Sequence, residues 1–260
     1  MQFPGVMKVV AAAAMLAMSG ATLAQSTTVK FNGWAYGGSG TSASYNFVKD
    51  PRTGNAFSGS GTGGGFNVTV NGTDSFAAYC TELFQYISIG QTYTDYTRVT
   101  NAPDYKWSTG APGVNGWDPA RANAINERIG QLWAYAGATY GLTGVPGTNN
   151  ATNQANSTAL QWAIWNVVYD TDNSLSSGNF TITANNSNQS IFNMANAMLT
   201  QSANYGFRYN LDVLRAAGRQ DQLITDGVRT PVPEPGTYAM MLAGLSAVGF
   251  VARRRRARQG

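Results

Sequence analysis

The chain has 260 residues, 17 Lys+Arg against 13 Asp+Glu, one cysteine and no histidine. The missing histidine excludes Ser-His-Asp and Cys-His catalysis, imidazole zinc sites and imidazole acid–base work, and one cysteine cannot build a Cys-rich metal cage. The formal charge of +4 sits at the ends: without Lys8, Glu234 and the five arginines between 253 and 258, 11 basic and 12 acidic residues remain. That leaves no basic stripe for a phosphate backbone, so nucleic acid is excluded as a partner.

The first residues, "MQFPGVMKVVAAAAMLAMSGATLAQ", place Lys8 before an apolar run from Val9 to Met18 and a small-residue exit. This order predicts a signal peptide over residues 1–24, cleaved after Ala24 and exported by the Sec machinery. About two hundred residues follow, enough for one sizeable core.

The body, residues 25–230, opens on strand-length runs rich in Val, Tyr, Phe and Thr: "TTVKFNGWAYGG", "ASYNFVKD", "GGFNVTVNGTDSFAAYC" and "QYISIGQTYTDYTRVT". Asn71-Gly72 within "VNGT" predicts a tight hairpin turn, because both residues accept positive φ. "GSGTGGG", residues 59–65, reads as a flexible loop.

The period then changes. "WDPARANAINERIGQLWAYAGATYG" predicts a helix with Asp118 as N-cap, Pro119 at the first position and Gly141 as terminator; Ile125, Ile129, Leu132, Trp133 and Ala136 share one face. After a Gly/Asn-rich loop, "STALQWAIWNVVYD" predicts a second helix with Leu160, Ile164, Val167 and Val168 on one face. "SIFNMANAMLTQSA" predicts a third, "LDVLRAAGR" a short fourth, and "DQLITDGVRT" a closing strand. The expected fold is α+β: an antiparallel β-sandwich or barrel with a helical portion, about 118–219, inserted or appended.

The chain closes on "PVPEPGTYAMMLAGLSAVGFVARRRRARQG". A Pro-rich break precedes an apolar run over 237–252 and an arginine tail over 253–258. Sixteen helical residues span about 24 Å, workable for a membrane helix with snorkelling flanks. The order Val232-Pro233-Glu234-Pro235, apolar run, then Arg253, Arg254, Arg255 and Arg256 resembles the PEP-CTERM sorting signal of Gram-negative, exopolysaccharide-making bacteria. The resemblance covers 231–260. It implies an exosortase acting near Val232–Pro235, a transient inner-membrane anchor, and a final place at the cell surface or in an extracellular polysaccharide layer.

For chemistry, no metal or cofactor is expected. "DTDNS", Asp170 to Ser174, starts like a calcium loop, but Leu175 stands where the turning Gly belongs and Thr181 where the bidentate Glu belongs, so it reads as a helix-ending turn. Glu82 and Glu127 are carboxylates available for glycoside hydrolysis, though no spacing pairs them. The remaining reactive group is Cys80. It is either a small buried hydrophobe, where free cysteines most often sit, or the donor of an intermolecular disulfide, or a nucleophile. Gln161 is the one polar residue inside "LQWAIW". A thiolate can attack a glutamine carbonyl, release ammonia and leave an internal thioester, provided that water is kept out.

Tyr79-Cys80 together with Leu160-Gln161-Trp162-Ala163-Ile164-Trp165 resembles the bacterial thioester domain of surface adhesins. That family has an aromatic or Leu before the Cys and an apolar-Gln-x-x-apolar-apolar motif. "QLWAYAGATYG" has the look of the helix between the two motifs, and the resemblance spans about residues 65–175. Thr81 departs from the usual aliphatic residue. The resemblance implies a Cys80–Gln161 thioester formed during folding. A lysine or other amine on a partner then attacks it, without turnover, so the protein is not an enzyme. With no histidine present, the proton of the amine goes to water, to Glu82 or to another carboxylate, and Tyr79, Trp162 and Trp165 are the expected walls, although ordinary packing fits all three. Two other readings stand beside this one: a non-reactive matrix protein with a buried cysteine, and a carboxylate-based carbohydrate-active enzyme.

Overall fold

The computed structural model describes residues 26–100, 119–170, 172–231 and 246. In chain order the strands of the first half are β1 (Ser26–Trp34), β2 (Thr41–Phe47), β3 (Phe57–Gly63), β4 (Phe66–Val70), β5 (Asp74–Cys80) and β6 (Thr92–Val99). Then come α1 (Pro119–Tyr140), α2 (Ala151–Tyr169), β7 (Phe180–Thr183), α3 (Gln189–Ser202), β8 (Phe207–Tyr209), β9 (Asp212–Arg215), β10 (Gln222–Ile224) and β11 (Arg229–Pro231).

Six strands close an antiparallel barrel in the order β1-β4-β5-β10-β9-β6. A second sheet, β3-β2-β7, and a ribbon, β11-β8, flank it. The α+β expectation, a barrel carrying a helical portion, is the architecture found; the helices are inserted between barrel strands β6 and β9. The β4–β5 hairpin turns on Asn71 (φ 50°) and Gly72 (φ 77°), the positive pair that a tight turn matching strand twist requires. Helix α1 stops at Gly141 (φ 75°), whose N–H reaches the Gly137 carbonyl at 3.2 Å.

Three readings are corrected. The glycine-rich 59–65 segment is largely strand β3, not a loop. Gly59, Gly61 and Gly63 alternate onto one face, and at Gly59 and Gly63 large side chains occupy the space where a Cβ would stand. A Cβ at Gly63 would lie 2.5 Å from Trp162 Nε1, and one at Gly59 2.7 Å from the Tyr45 hydroxyl. "LDVLRAAGR" forms strand β9 rather than a fourth helix. Its Val213 and Leu214 are fully buried, with ladder partners on both β6 and β10, and that double pairing overrides the helix preference of Leu, Arg and Ala. The interval 118–219 is therefore not purely helical.

Helix α2 also differs. It starts at Ala151, where the Asn150 side chain accepts from the Asn153 N–H at 2.8 Å, and every residue from Asn156 to Tyr169 is buried. It is the central helix, covered by α1, α3 and the sheets, so no single apolar stripe describes it. Among the described residues no helix is long and apolar enough to cross a membrane; the 237–252 run and Asp118 lie outside the described residues.

Gly63→Ala should destabilise the fold by about 1–3 kcal/mol, because buried Trp162 has no free space into which to retreat. Gly206→Ala, where a Cβ meets nothing within 4 Å, should stay within about 0.5 kcal/mol. Urea midpoints of the two variants check this, and equal midpoints would refute the packing role of β3.

Candidate functional site

Cys80 ends strand β5, and Gln161 lies in the middle of α2; both are buried. Beyond the Phe66–Ala78 pair, β4 no longer runs beside β5. On the other side, the Thr81 N–H still pairs with the Asp221 carbonyl at 3.1 Å. The position left by β4 is taken by a side chain. The Cys80 N–H donates to Gln161 Oε1 at 2.8 Å, and Gln161 Nε2 donates to the Cys80 carbonyl at 2.8 Å. A primary amide has one acceptor and two donors in a plane, so it can stand in for a peptide of a neighbouring strand.

This clasp has chemical content. An N–H aimed at a carbonyl oxygen stabilises the charge that builds there when the carbonyl carbon is attacked. Cys80 supplies that N–H and carries a thiol sulfur on the same residue. Across the β5–β10 pair stands Gln222, fully buried, whose Nε2 lies 3.5 Å from Cys80 Sγ. Burial pushes the Cys80 thiol up to about 12; the Gln222 hydrogen bond opposes the rise and the Glu82 charge adds to it.

Glu82 follows two residues later, largely buried, with Oε2 lacking a partner among the described residues. Burial first, then the Asp221 charge, pushes its carboxyl up to about 7; a backbone N–H of Asp221 and the charge of Arg215 pull the other way. It therefore exchanges a proton near neutrality beside a thiol that cannot ionise unaided.

A cleft of about 430 Å³ opens onto Cys80. Trp34 and Phe66, stacked at 4.8 Å, form one wall, Trp165 and Leu83 another, and Tyr86 and Ile89 stand exposed at the rim. Of the aromatic residues expected as walls, Trp165 lines this cleft. Tyr79 and Trp162 do not. Strand alternation turns Tyr79 to the opposite face, where its hydroxyl meets Ser157 Oγ at 3.0 Å and its ring meets Trp133 edge-on. Trp162, one position beyond Gln161, is packed toward Gly63. Gln222, Gln220 and Trp34 had not been singled out in the sequence; the trace of the first is a glutamine at a buried alternating position in "DQLIT".

Glu82 and Glu127 are not brought together. Glu127 is exposed on α1 and ion-paired with Arg208 at 2.7 Å, lining a different cavity. Among the described residues no group of three or more His, Cys, Asp or Glu side chains could hold a metal. In "DTDNS", Asp170 Oδ2 accepts from the Phe180 N–H and Asp172 Oδ1 from the Ser174 N–H, as a helix-ending turn does. Val232, Pro233, Glu234, Pro235 and Arg253 to Arg256 lie outside the described residues.

Residues 231–256 match the PEP-CTERM protein-sorting motif. The chain thus carries the signal of an exported protein that an exosortase sorts to the cell surface. No curated protein matches it in sequence. Among solved structures it is similar to the N-terminal domain of the Streptococcus pyogenes pilus tip adhesin Cpa, at 13% identity and a TM-score of 0.38, over 78% of this chain and 99% of that one. The chemistry of the site rests on its own geometry.

Glu82 sets a pH dependence. An unfolded chain releases this proton near pH 4.3–4.5, the native state near 7, so the native state holds the extra proton in between. Stability from this group is complete below about pH 4.5 and is lost as pH rises through about 7. Glu82→Gln should flatten that fall and raise stability at pH 8 by about 2–3 kcal/mol, read from urea midpoints across the range; an unchanged profile would refute the assignment. Gln161→Leu should cost about 2–5 kcal/mol by the same measurement, since it strands two buried backbone groups of Cys80.

Proposed function

We propose that Cys80 and Gln161 join as an internal thioester and that the exported protein is a covalent surface binder for amines. The observation that carries this reading is the two-point clasp of the Gln161 carboxamide on the Cys80 peptide, 2.8 Å at each end. Cys80 Sγ attacks Gln161 Cδ, the S–C bond forms, the C–N bond breaks, and ammonia leaves carrying the thiol proton. Glu82 relays that proton, and the Cys80 N–H supports the carbonyl oxygen.

An external amine, a lysine of a partner protein, then enters the cleft and attacks the same carbon. An amide to Gln161 forms, the C–S bond breaks, and the proton lost by the amine ends on the Cys80 thiol. Each molecule fires once, so this is not turnover. The aromatic cleft keeps bulk water from an acyl group that it would hydrolyse.

Sorting completes the reading. Residues 1–24 direct Sec export, residues 237–252 hold the chain in the inner membrane, and the exosortase cuts near Val232–Pro235, leaving the body of residues 25–230 at the surface or in a polysaccharide layer. A second reading has its own support: the thiol pushed up to about 12 and the amide held at both its oxygen and its nitrogen suit an inert clasp in a structural matrix protein.

Intact mass of the exported body separates the two. The covalent reading expects a mass lower by one ammonia, methylamine incorporated at Gln161, and both signals abolished by Cys80→Ala. Methylamine opening should also cost about 4 kcal/mol of stability, the worth of a cross-link closing a loop of this length. Full unmodified mass with a titratable thiol in the folded protein would overturn it in favour of the inert clasp.

A further inference from the structure

The sheet β3-β2-β7 has two edges, and the chain treats them differently. At the β7 edge the outward N–H groups are met: Phe180 N–H donates to Asp170 Oδ2 at 2.7 Å and Ile182 N–H to the Leu175 carbonyl at 2.9 Å. Backbone direction alternates along a strand, so the registers of β2 with β7 and β3 carry this pattern across the sheet. Phe57, Gly59, Gly61 and Gly63 therefore exchange bonds with β2, while Ser58, Ser60 and Thr62 turn their N–H and C=O groups outward. These outward groups have no partner among the described residues, and all three residues are exposed.

The open edge borders the reactive cleft. Ser60, Gly61 and Thr62 line it together with Cys80, Leu83 and Trp165. A Cβ at Gly61 would lie 3.4 Å from Leu83 Cδ2 and 3.6 Å from Trp165 Cη2, so the glycine face of β3 looks onto the apolar lining. Sheet edges are commonly blunted by a charge, a proline or a bulge. The strand "FSGSGTG" has neither charge nor proline, and it pairs with β2 residue for residue. Among the described residues no charged side chain lines the cleft, and the charge that bears on Cys80 is that of Glu82, which favours a cationic head there.

We propose that β3 recruits the amine-bearing partner by strand addition: an extended segment of the partner pairs antiparallel with the Ser58, Ser60 and Thr62 edge, and its lysine, opposite Gly61, enters the cleft. This rests on the thioester reading and adds the form that the target takes. Partner residues opposite Ser60 and Thr62 exchange backbone hydrogen bonds with them, and their side chains stand on the outer, hydroxyl-rich face. The residue between turns to the glycine face, where a lysine lays its methylene stem along Leu83 and Trp165 and carries its amine to the Gln161 acyl carbon. There the amide forms, the C–S bond breaks and the proton lost by the amine ends on the Cys80 thiol. A lysine on a helix has its backbone bonded internally and gains nothing from this edge.

The test compares three amines on the exported protein at one pH: methylamine, the capped pentapeptide Val-Thr-Lys-Thr-Val, and the same peptide with both threonine amides N-methylated. Mass spectrometry follows coupling at Gln161. The plain peptide should couple at least tenfold faster than methylamine, and the N-methylated peptide no faster than methylamine. Ser60→Pro removes an outward N–H and no ladder bond, so it should cut the peptide-to-methylamine rate ratio at least tenfold, whereas Ser60→Ala keeps it. Thermal unfolding reports whether each variant is folded. A plain peptide no faster than methylamine, or a ratio that survives Ser60→Pro, would overturn strand addition. So would a dimer in sedimentation that Ser60→Pro dissociates, because a second copy then holds the edge. If methylamine never couples, the thioester reading fails by itself and noncovalent peptide binding decides the edge. Binding lost on N-methylation and on Ser60→Pro supports pairing; indifferent binding, or none, overturns it.

Discussion

The structure depends on a strand ladder completed by a side chain. At Cys80 the barrel loses the backbone partner that β4 provided two residues earlier, and the Gln161 amide takes over both hydrogen bonds. An unpaired peptide in this dry interior would be costly, so the clasp ties barrel to helix with a definite register. The sulfur, the polarised carbonyl and the buried Glu82 stand where they do because of it.

The helix that carries Gln161 can approach only because its surroundings are small where it is large. Gly59 and Gly63 strip one face of β3, and Tyr45 and Trp162 use the space. Burial on every side then fixes α2 between barrel, sheets and helices. One side of it reaches the cleft, and the other reaches a second cavity bordered by α1. A single rigid element thus borders two cavities of different chemistry: an aromatic entrance onto a thiol, and a recess lined by Arg121, Arg128, Asn166 and Asp170.

Electrostatics set the temper of the first site. Burial alone would leave a protonated, quiet thiol, and it acts on Cys80 and Glu82 in the same direction. The difference lies in where each group ends up. The carboxyl arrives near neutrality, able to exchange a proton, while the thiol stays far above it and ionises only as its proton is taken. A site with no histidine gains a neutral-range acid–base group by desolvating a glutamate.

Much of this was legible in the sequence wherever the determinant is local. The Asn71-Gly72 turn, the Gly141 stop of α1 and the alternating strands follow from φ preferences and side-chain period, and the ordered motifs at the C-terminus need no fold to be read. Cys80 and Gln161 stood out by rarity and context. The rest is non-local. β3 looks like a loop until Trp162 and Tyr45 explain its glycines, and β9 looks helical until β6 and β10 claim its backbone. Tyr79 and Trp165 differ in role only through strand alternation and helix rotation about a shared core. The sequence by itself determined which groups could react and how the chain is addressed, since composition and local pattern carry both. Only the tertiary structure decided that Gln161 would complete the β5 ladder, that Gln222 would face the sulfur and that Glu82 would be desolvated, because those depend on hydrogen-bond partners and burial brought together from distant parts of the chain.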